Sequence, residues 1–276
     1  MATHRVLSSH ELVSEIFSTL PLQKILDDLT KVNSLFRTEA IHTAVARFST
    51  MLNPYVADHV NAIIDLLREQ RSIIIGSCAL HVLLGLPSWK PRNLNIVVPR
   101  DAVNIFITFF NSKGYSPTQV RVPAHLLHYV SRSFRCDSAV HRPTVTITES
   151  IDSSALTPFL ASDCTAEFVF MTGGGIASFY PSLTSSHIAL RSPDMRGVPS
   201  VTRSLVERGF VLKHTFEHDP HEVCPSAWRR VNGLRGIWVR DWDRRNSAHD
   251  IIVGEHHRWR LGTVCTHPDC LLATRR

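Results

Sequence analysis

The stretch Ile73-Ile74-Ile75-Gly76-Ser77, followed after a helix by Trp89-Lys90-Pro91-Arg92-Asn93-Leu94-Asn95-Ile96-Val97-Val98-Pro99, decides how this chain is read. Three β-branched residues in a row predict a short buried strand, and Leu94 to Val98 predict another. Gly76-Ser77 opens the helix between them, which carries Ala79, Leu80, Val82 and Leu83. Alternate strand residues point to one face, so Asn93 and Asn95 stand side by side at the start of the second strand.

Downstream, Asp101 is expected to cap a helix with Val103, Ile105, Phe106, Phe109 and Phe110 turned inward. Thr144 to Thr148 and Ala166 to Met171 are further strands, and the alternation with helices predicts an α/β or α+β core. Gly173-Gly174-Gly175 reads as a turn, because neither a Lys nor a Ser or Thr follows as in a phosphate-binding P-loop. Upstream, Val56, Val60, Ile63, Ile64 and Leu67 mark a helix. Residues 6 to 48 read as two or three shorter ones. Ser8 and Glu11 form a capping-box pattern ahead of Leu12, Val13, Ile16, Phe17 and Leu20, and Pro21 interrupts. Leu22, Ile25, Leu26, Leu29, Val32, Leu35 and Phe36 then fall on one side. From about residue 216 the composition turns to Arg and Trp, with no lysine. The expected division is therefore a head at 1–50, a core at 55–215 and a tail at 216–276 that packs on the core.

With 276 residues, 43% of them hydrophobic, the chain can bury an ordinary core. Its longest apolar stretch, Ile73 to Pro87, contains Ser77 and His81 and is too short to span a bilayer. The first residues hold no apolar signal segment, so an intracellular site, cytoplasm or nucleus, is expected and no membrane partner. There, six cysteines read as buried thiols or metal ligands in preference to disulfides. The formal charge is +6, and arginine supplies 25 of the 30 basic residues. That sign alone selects no ligand, since arginine serves phosphate and carboxylate equally well.

Two constellations bear on binding. Cys265, His267 and Cys270, with Cys224 upstream, offer ligands for a structural zinc, but no clean pair of Cys-x-x-Cys steps exists. The spacing therefore favours buried thiols, and no other cofactor is expected. Residues 216–276 hold ten Arg against eight acidic residues, which fits Arg side chains paired within the protein better than a nucleic-acid stripe. No cysteine or histidine sits in a hydrolase signature.

The unit from Ile73 to Pro99 resembles the opening of the nucleotidyltransferase fold. In that family a Gly-Ser step lies against nucleotide phosphates, and two carboxylates one residue apart begin the next strand. A third carboxylate lies on a later strand, and together they hold the divalent metals of phosphoryl transfer. The matching positions here are Gly76, Ser77, Asn93, Asn95 and Thr146, so the resemblance implies a core without its acidic metal ligands. Tyr180-Pro-Ser-Leu-Thr184, Glu207-Arg-Gly-Phe210, Cys224-Pro225 and Trp259-Arg-Leu-Gly262 extend the likeness to fungal proteins with such a degenerate core. Glu11 to Phe17, Leu20-Pro21-Leu22 and Leu35-Phe36-Arg37 resemble an F-box. That resemblance implies that Leu12, Ile16, Phe17, Leu20, Pro21 and Leu22 contact the Skp-type adaptor of a cullin ubiquitin ligase, with an unspecified client on the core. The expectation is a non-catalytic interaction protein. The alternatives are a nucleotide-binding or weakly active transferase using relocated acids such as Asp101 or Glu149, and a nucleic-acid binder using the tail.

Overall fold

The computed structural model describes residues 9–85, 88–139, 142–192, 199–216, 224–243, 247–261, 264–266 and 270. Its head consists of α1 (His10–Thr19), α2 (Leu22–Asp27) and α3 (Ser34–Val56), and α4 (Val60–Glu69) follows. Pro21 separates the first two helices because it fixes its own backbone and brings no N–H. The capping box with Ser8 does not describe the start of α1: Ser8 lies outside the described residues and Ser9 occupies the cap. Ser9 donates its hydroxyl to Glu11 (3.0 Å) and caps no backbone N–H. In contrast, the Asn33 side chain accepts from the Phe36 N–H (2.8 Å) and starts α3. This helix runs 23 residues, so the boundary expected between 50 and 55 falls inside it.

The core then adds β1 (Ile73–Ile75), α5 (Ser77–Leu84), β2 (Asn93–Val98), α6 (Val103–Ser112), β3 (Tyr115–Val120), β4 (Val130–Ser138) and β5 (Thr144–Ser150). Next come α7 (Leu156–Phe159), β6 (Val169–Met171), β7 (Gly175–Ser178), α8 (Pro181–Ser185), β8 (Ile188–Leu190), α9 (Pro199–Glu207), β9 (Val211–Lys213) and β10 (Thr215–Phe216). The last elements are β11 (Arg229–Arg230), β12 (Trp238–Asp241), α10 (Ala248–Val253), β13 (Arg258–Trp259) and β14 (Val264–Cys265). Eight strands form one mixed sheet in the order β12-β7-β6-β1-β2-β5-β4-β3. Its neighbours are antiparallel except β2 and β5, which run parallel with Asn95 beside Thr146. The fold is mixed α/β, as the sequence leads one to expect.

Alternation along the strands splits the apolar residues into two layers. Ile74, Leu94, Ile96, Val145 and Ile147 bury under the helices, in one cluster that also takes Val13, Phe17, Leu22 and Ile25 from the head. Ile73, Val97, Phe170 and Ala177 bury on the opposite face beneath Phe159, Phe179 and Trp259. That second layer ends before Asn93, Asn95 and Thr146, which are half-buried on a face continued by exposed Arg135.

Head, core and tail are joined by specific bonds. Arg47 donates to the carbonyls of Phe17 (2.7 Å), Ser18 (3.1 Å) and Leu20 (2.7 Å), closing the end of α1. Asp27 of α2 accepts from the Trp238 indole (2.8 Å) and pairs with Arg240, both on β12. At the opposite edge of the sheet, β3 carries Pro117 opposite Cys136.

Three details correct the sequence reading. Asp101 does not cap α6: its backbone is left-handed (φ 72°), the helix starts at Val103, and no side chain caps it. Ala166 belongs to a 3-10 turn, Thr165–Glu167, ahead of β6. The glycine triplet does form the β6–β7 turn, but a positive φ is not its reason. A Cβ on Gly173 would lie 2.7 Å from the Ile64 carbonyl of α4, so the glycine permits close packing. Among the described residues no helix is long and apolar enough to cross a membrane.

Candidate functional site

At the end of β1 the chain turns sharply at Gly76, where φ is 73°, and enters α5. A Cβ there would be strained and would sit 3.0 Å from the Asn95 Nδ2. Cys78, the second residue of α5, donates to the Asn93 carbonyl (3.3 Å) and lies 3.6 Å from the Tyr55 hydroxyl, which ties α5 to the start of β2. Burial pushes that thiol up to about 12, so it serves as a neutral strut. Gly76, Ser77, Asn93 and Asn95 consequently line one cavity of about 340 Å³. Thr146 is next to Asn95 in the sheet but is not among the residues that line it.

Two walls come from elsewhere in the chain and escape a reading of local sequence. Glu167 enters from the turn before β6, because β6 runs antiparallel to β1 and its start lies by the end of β1. Arg208 enters from the segment just after α9. Burial, with Asp163 nearby, pushes the Glu167 carboxyl up to about 7. The Arg208 guanidinium lies over the Trp89 ring, 4.8 Å from its centroid. Burial and the neighbouring Arg92 lower its pKa, yet an arginine remains charged at neutral pH. Ser204 and Arg208 also border an adjoining groove of about 440 Å³, where Lys90, Arg92 and Arg203 join them and Glu207 is the one acid among the described residues that line it.

These residues do not fit the divalent metals of a nucleotidyltransferase. Asn93 Nδ2 donates to Asn95 Oδ1 (2.7 Å), so the two amides attract where paired carboxylates would repel and call for a cation. Glu167 is the one carboxylate among the described residues lining the cavity, and its raised pKa favours the proton over a metal. The relocated acids Asp101 and Glu149 stand at the far end of β2 and β5, away from Asn93. Glu149 is buried and engaged by Arg132 through two bonds (2.7 and 2.9 Å) and by the Asp101 N–H (3.0 Å). Ser77 contributes a different signal: its hydroxyl is buried in the first turn of α5 and has no hydrogen-bond partner among the described residues.

Of the residues matched to an F-box, Phe17 and Leu22 are buried in the core and Leu20 packs against it. Pro21 is half-buried, whereas Leu12 and Ile16 are exposed one turn apart on α1. In the tail, the Arg229 guanidinium stacks on Trp259 (3.9 Å) and Tyr180 (4.6 Å), while Arg258 and Arg260 lie over Trp228. The sulfurs of Cys224, Cys265 and Cys270 come within 4.8 Å of one another. His267, the fourth zinc candidate, lies outside the described residues.

No family model matches the chain, and no curated protein matches it. Among solved structures it is similar to a CCA-adding enzyme in complex with CTP, at 14% sequence identity and a TM-score of 0.39. The match covers 60% of this chain and 41% of that enzyme, so the chain spans well under half of the enzyme's length. A likeness of this size transfers no activity.

Proposed function

We propose that the protein is a non-catalytic binding protein whose Gly76–Ser77 cavity holds a phosphate-bearing ligand with arginine charge in place of a divalent cation. The observation that carries this reading is the unpartnered Ser77 hydroxyl at the start of α5, in the same cavity as Arg208. Backbone N–H groups at a helix start favour anions, and a guanidinium recognises phosphate by two parallel bonds. The adjoining Lys90, Arg92 and Arg203 extend positive charge away from the cavity, suited to a ligand with more than one anionic group. A nucleoside triphosphate is the ligand class that the nucleotidyltransferase resemblance suggests. Isothermal calorimetry in chelator and then in Mg²⁺ tests both halves. Binding is expected in chelator, unchanged by Mg²⁺ and weakened about tenfold by Arg208→Ala. No heat at millimolar ligand would end the pocket reading, and Mg²⁺-dependent turnover would end the non-catalytic one.

A second role rests on the exposure of Leu12 and Ile16, which leaves an apolar pair on α1 for a Skp-type adaptor. The cavity-bearing core would then meet the client. Retention of the adaptor by the full chain, abolished by Leu12→Asp with Ile16→Asp, is the expected result of a pull-down; equal retention by both chains would refute it.

A further inference from the structure

Cys224 and Cys265 are separated by forty residues of chain, yet the fold gathers them with Cys270 into one group. Cys265 ends β14, which pairs in parallel with β10 and sets Cys265 opposite Phe216. Cys224 opens the turn before β11, where its carbonyl accepts the Ala227 N–H (3.0 Å). The next residue, Pro225, offers its carbonyl to the Leu261 N–H (3.4 Å) and the Tyr180 hydroxyl (3.5 Å). The cluster is thereby anchored to the aromatic stack of Tyr180, Phe168 and Trp259. Cys224 and Cys265 are buried and Cys270 is half-buried.

The separations discriminate between two uses of such thiols. A disulfide requires sulfurs about 2.05 Å apart. Tetrahedral zinc with metal–sulfur bonds of about 2.3 Å sets its ligand sulfurs about 3.8 Å apart. Here Cys270 Sγ is 3.6 Å from Cys224 Sγ, and all three sulfurs lie within 4.8 Å of one another. None of the six cysteines is in a disulfide.

We propose that Cys224, Cys265 and Cys270 supply three ligands of a structural zinc site. Each thiol releases its proton as the cation binds, so the buried group becomes a charge-compensated thiolate cluster. The location explains what the ion would do. β10, β11, β13 and β14 are two residues each, so their ladders supply few hydrogen bonds. A cation bound to Cys224 and Cys265 cross-links these short pairs and holds the layer that covers Ile73 and Phe170.

The test is the metal content of the full chain purified without chelator. The expected result is about one zinc per chain, lost in Cys265→Ser and Cys270→Ser and retained in Cys136→Ser, whose thiol lies on β4. Cobalt in place of zinc should give a thiolate-to-metal charge-transfer band in the wild-type chain, which reports on sulfur ligation even if the serine variants fail to fold. Zinc-free protein from zinc-supplemented growth, with no such band on adding cobalt, would overturn the site. So would an intact mass two hydrogens short, which marks an oxidised pair. Neither outcome bears on the Ser77 cavity.

Discussion

Strands β2 and β5 lie parallel through the middle of the sheet, and their two ends can be compared directly. At one end are Asn93, Asn95 and Thr146, all uncharged, with the two amides bonded to each other. At the other end Glu149 remains a carboxylate although it is buried, because Arg132 and the Asp101 N–H hold it. Burial opposes its charge, but these bonds outweigh burial and keep its carboxyl below the ordinary value. The buried acid of this sheet thus stands where the protein supplies its counter-charge. At the other end the three side chains are two amides and a hydroxyl.

The largest effect should come from breaking the charged end. Arg132→Ala leaves Glu149 buried without its partner, and the expected cost is about 3 kcal/mol in denaturant unfolding near pH 8. The pH dependence fixes the sign. A lowered folded pKa means that the pair stabilises the fold above the ordinary carboxyl value and loses that contribution as pH falls through the lowered one. The deficit of Arg132→Ala should accordingly shrink in acid; a deficit independent of pH would show that the pair is not its cause.

Charging the neutral end should have a middling effect. Asn93→Asp with Asn95→Asp places two like charges on one face, and a loss of about 1–2 kcal/mol is expected without divalent ions. Thermal unfolding with Mg²⁺ should recover much of that loss in the double variant and leave the wild-type chain unmoved. An equal Mg²⁺ response from the wild-type chain would erase the contrast between the two ends.

The smallest effect concerns Glu167, whose carboxyl is raised to about 7. The fold holds its proton more tightly than the unfolded chain does, so its effect on stability is lost as pH rises through that value. An anion in the cavity should likewise bind more weakly above pH 7, by about fivefold, once Glu167 is charged beside Arg208. Glu167→Gln should flatten the affinity profile between about pH 6.5 and 8; an unchanged profile would place the titrating group elsewhere.

The local part of this site could be read in the sequence. Ile73-Ile74-Ile75, the Gly-Ser step and the Asn93/Asn95 alternation are all consequences of neighbouring residues, and β1, α5 and β2 appear where they imply. Glu167 and Arg208 could not be found that way, because each reaches the cavity through pairing or packing between distant segments. The β6 strand was legible, and asking what the antiparallel partner of β1 brings beside Gly76 would have pointed to Glu167. For the cysteines, spacing along the chain does not show that Cys224 lies beside Cys265, because the fold brings the two together across forty residues. Asp101 misled for a local reason: a left-handed residue before a helix imitates a cap in sequence but not in geometry.

The bonds from Asp27 to Trp238 and Arg240 also bear on how this sheet avoids self-association. Any open sheet exposes unpaired N–H and C=O groups along its outermost strands, which can template growth by a second molecule. On β3, Pro117 removes a donor from that row. On β12 the side chains of Trp238 and Arg240 are held to the helical head by Asp27. A chain shortened to begin after the head would lose these bonds together with the buried faces of α1 and α2, and would be expected to lose monodispersity. The helical head is thus not separable from the sheet, because its apolar side chains belong to the same core.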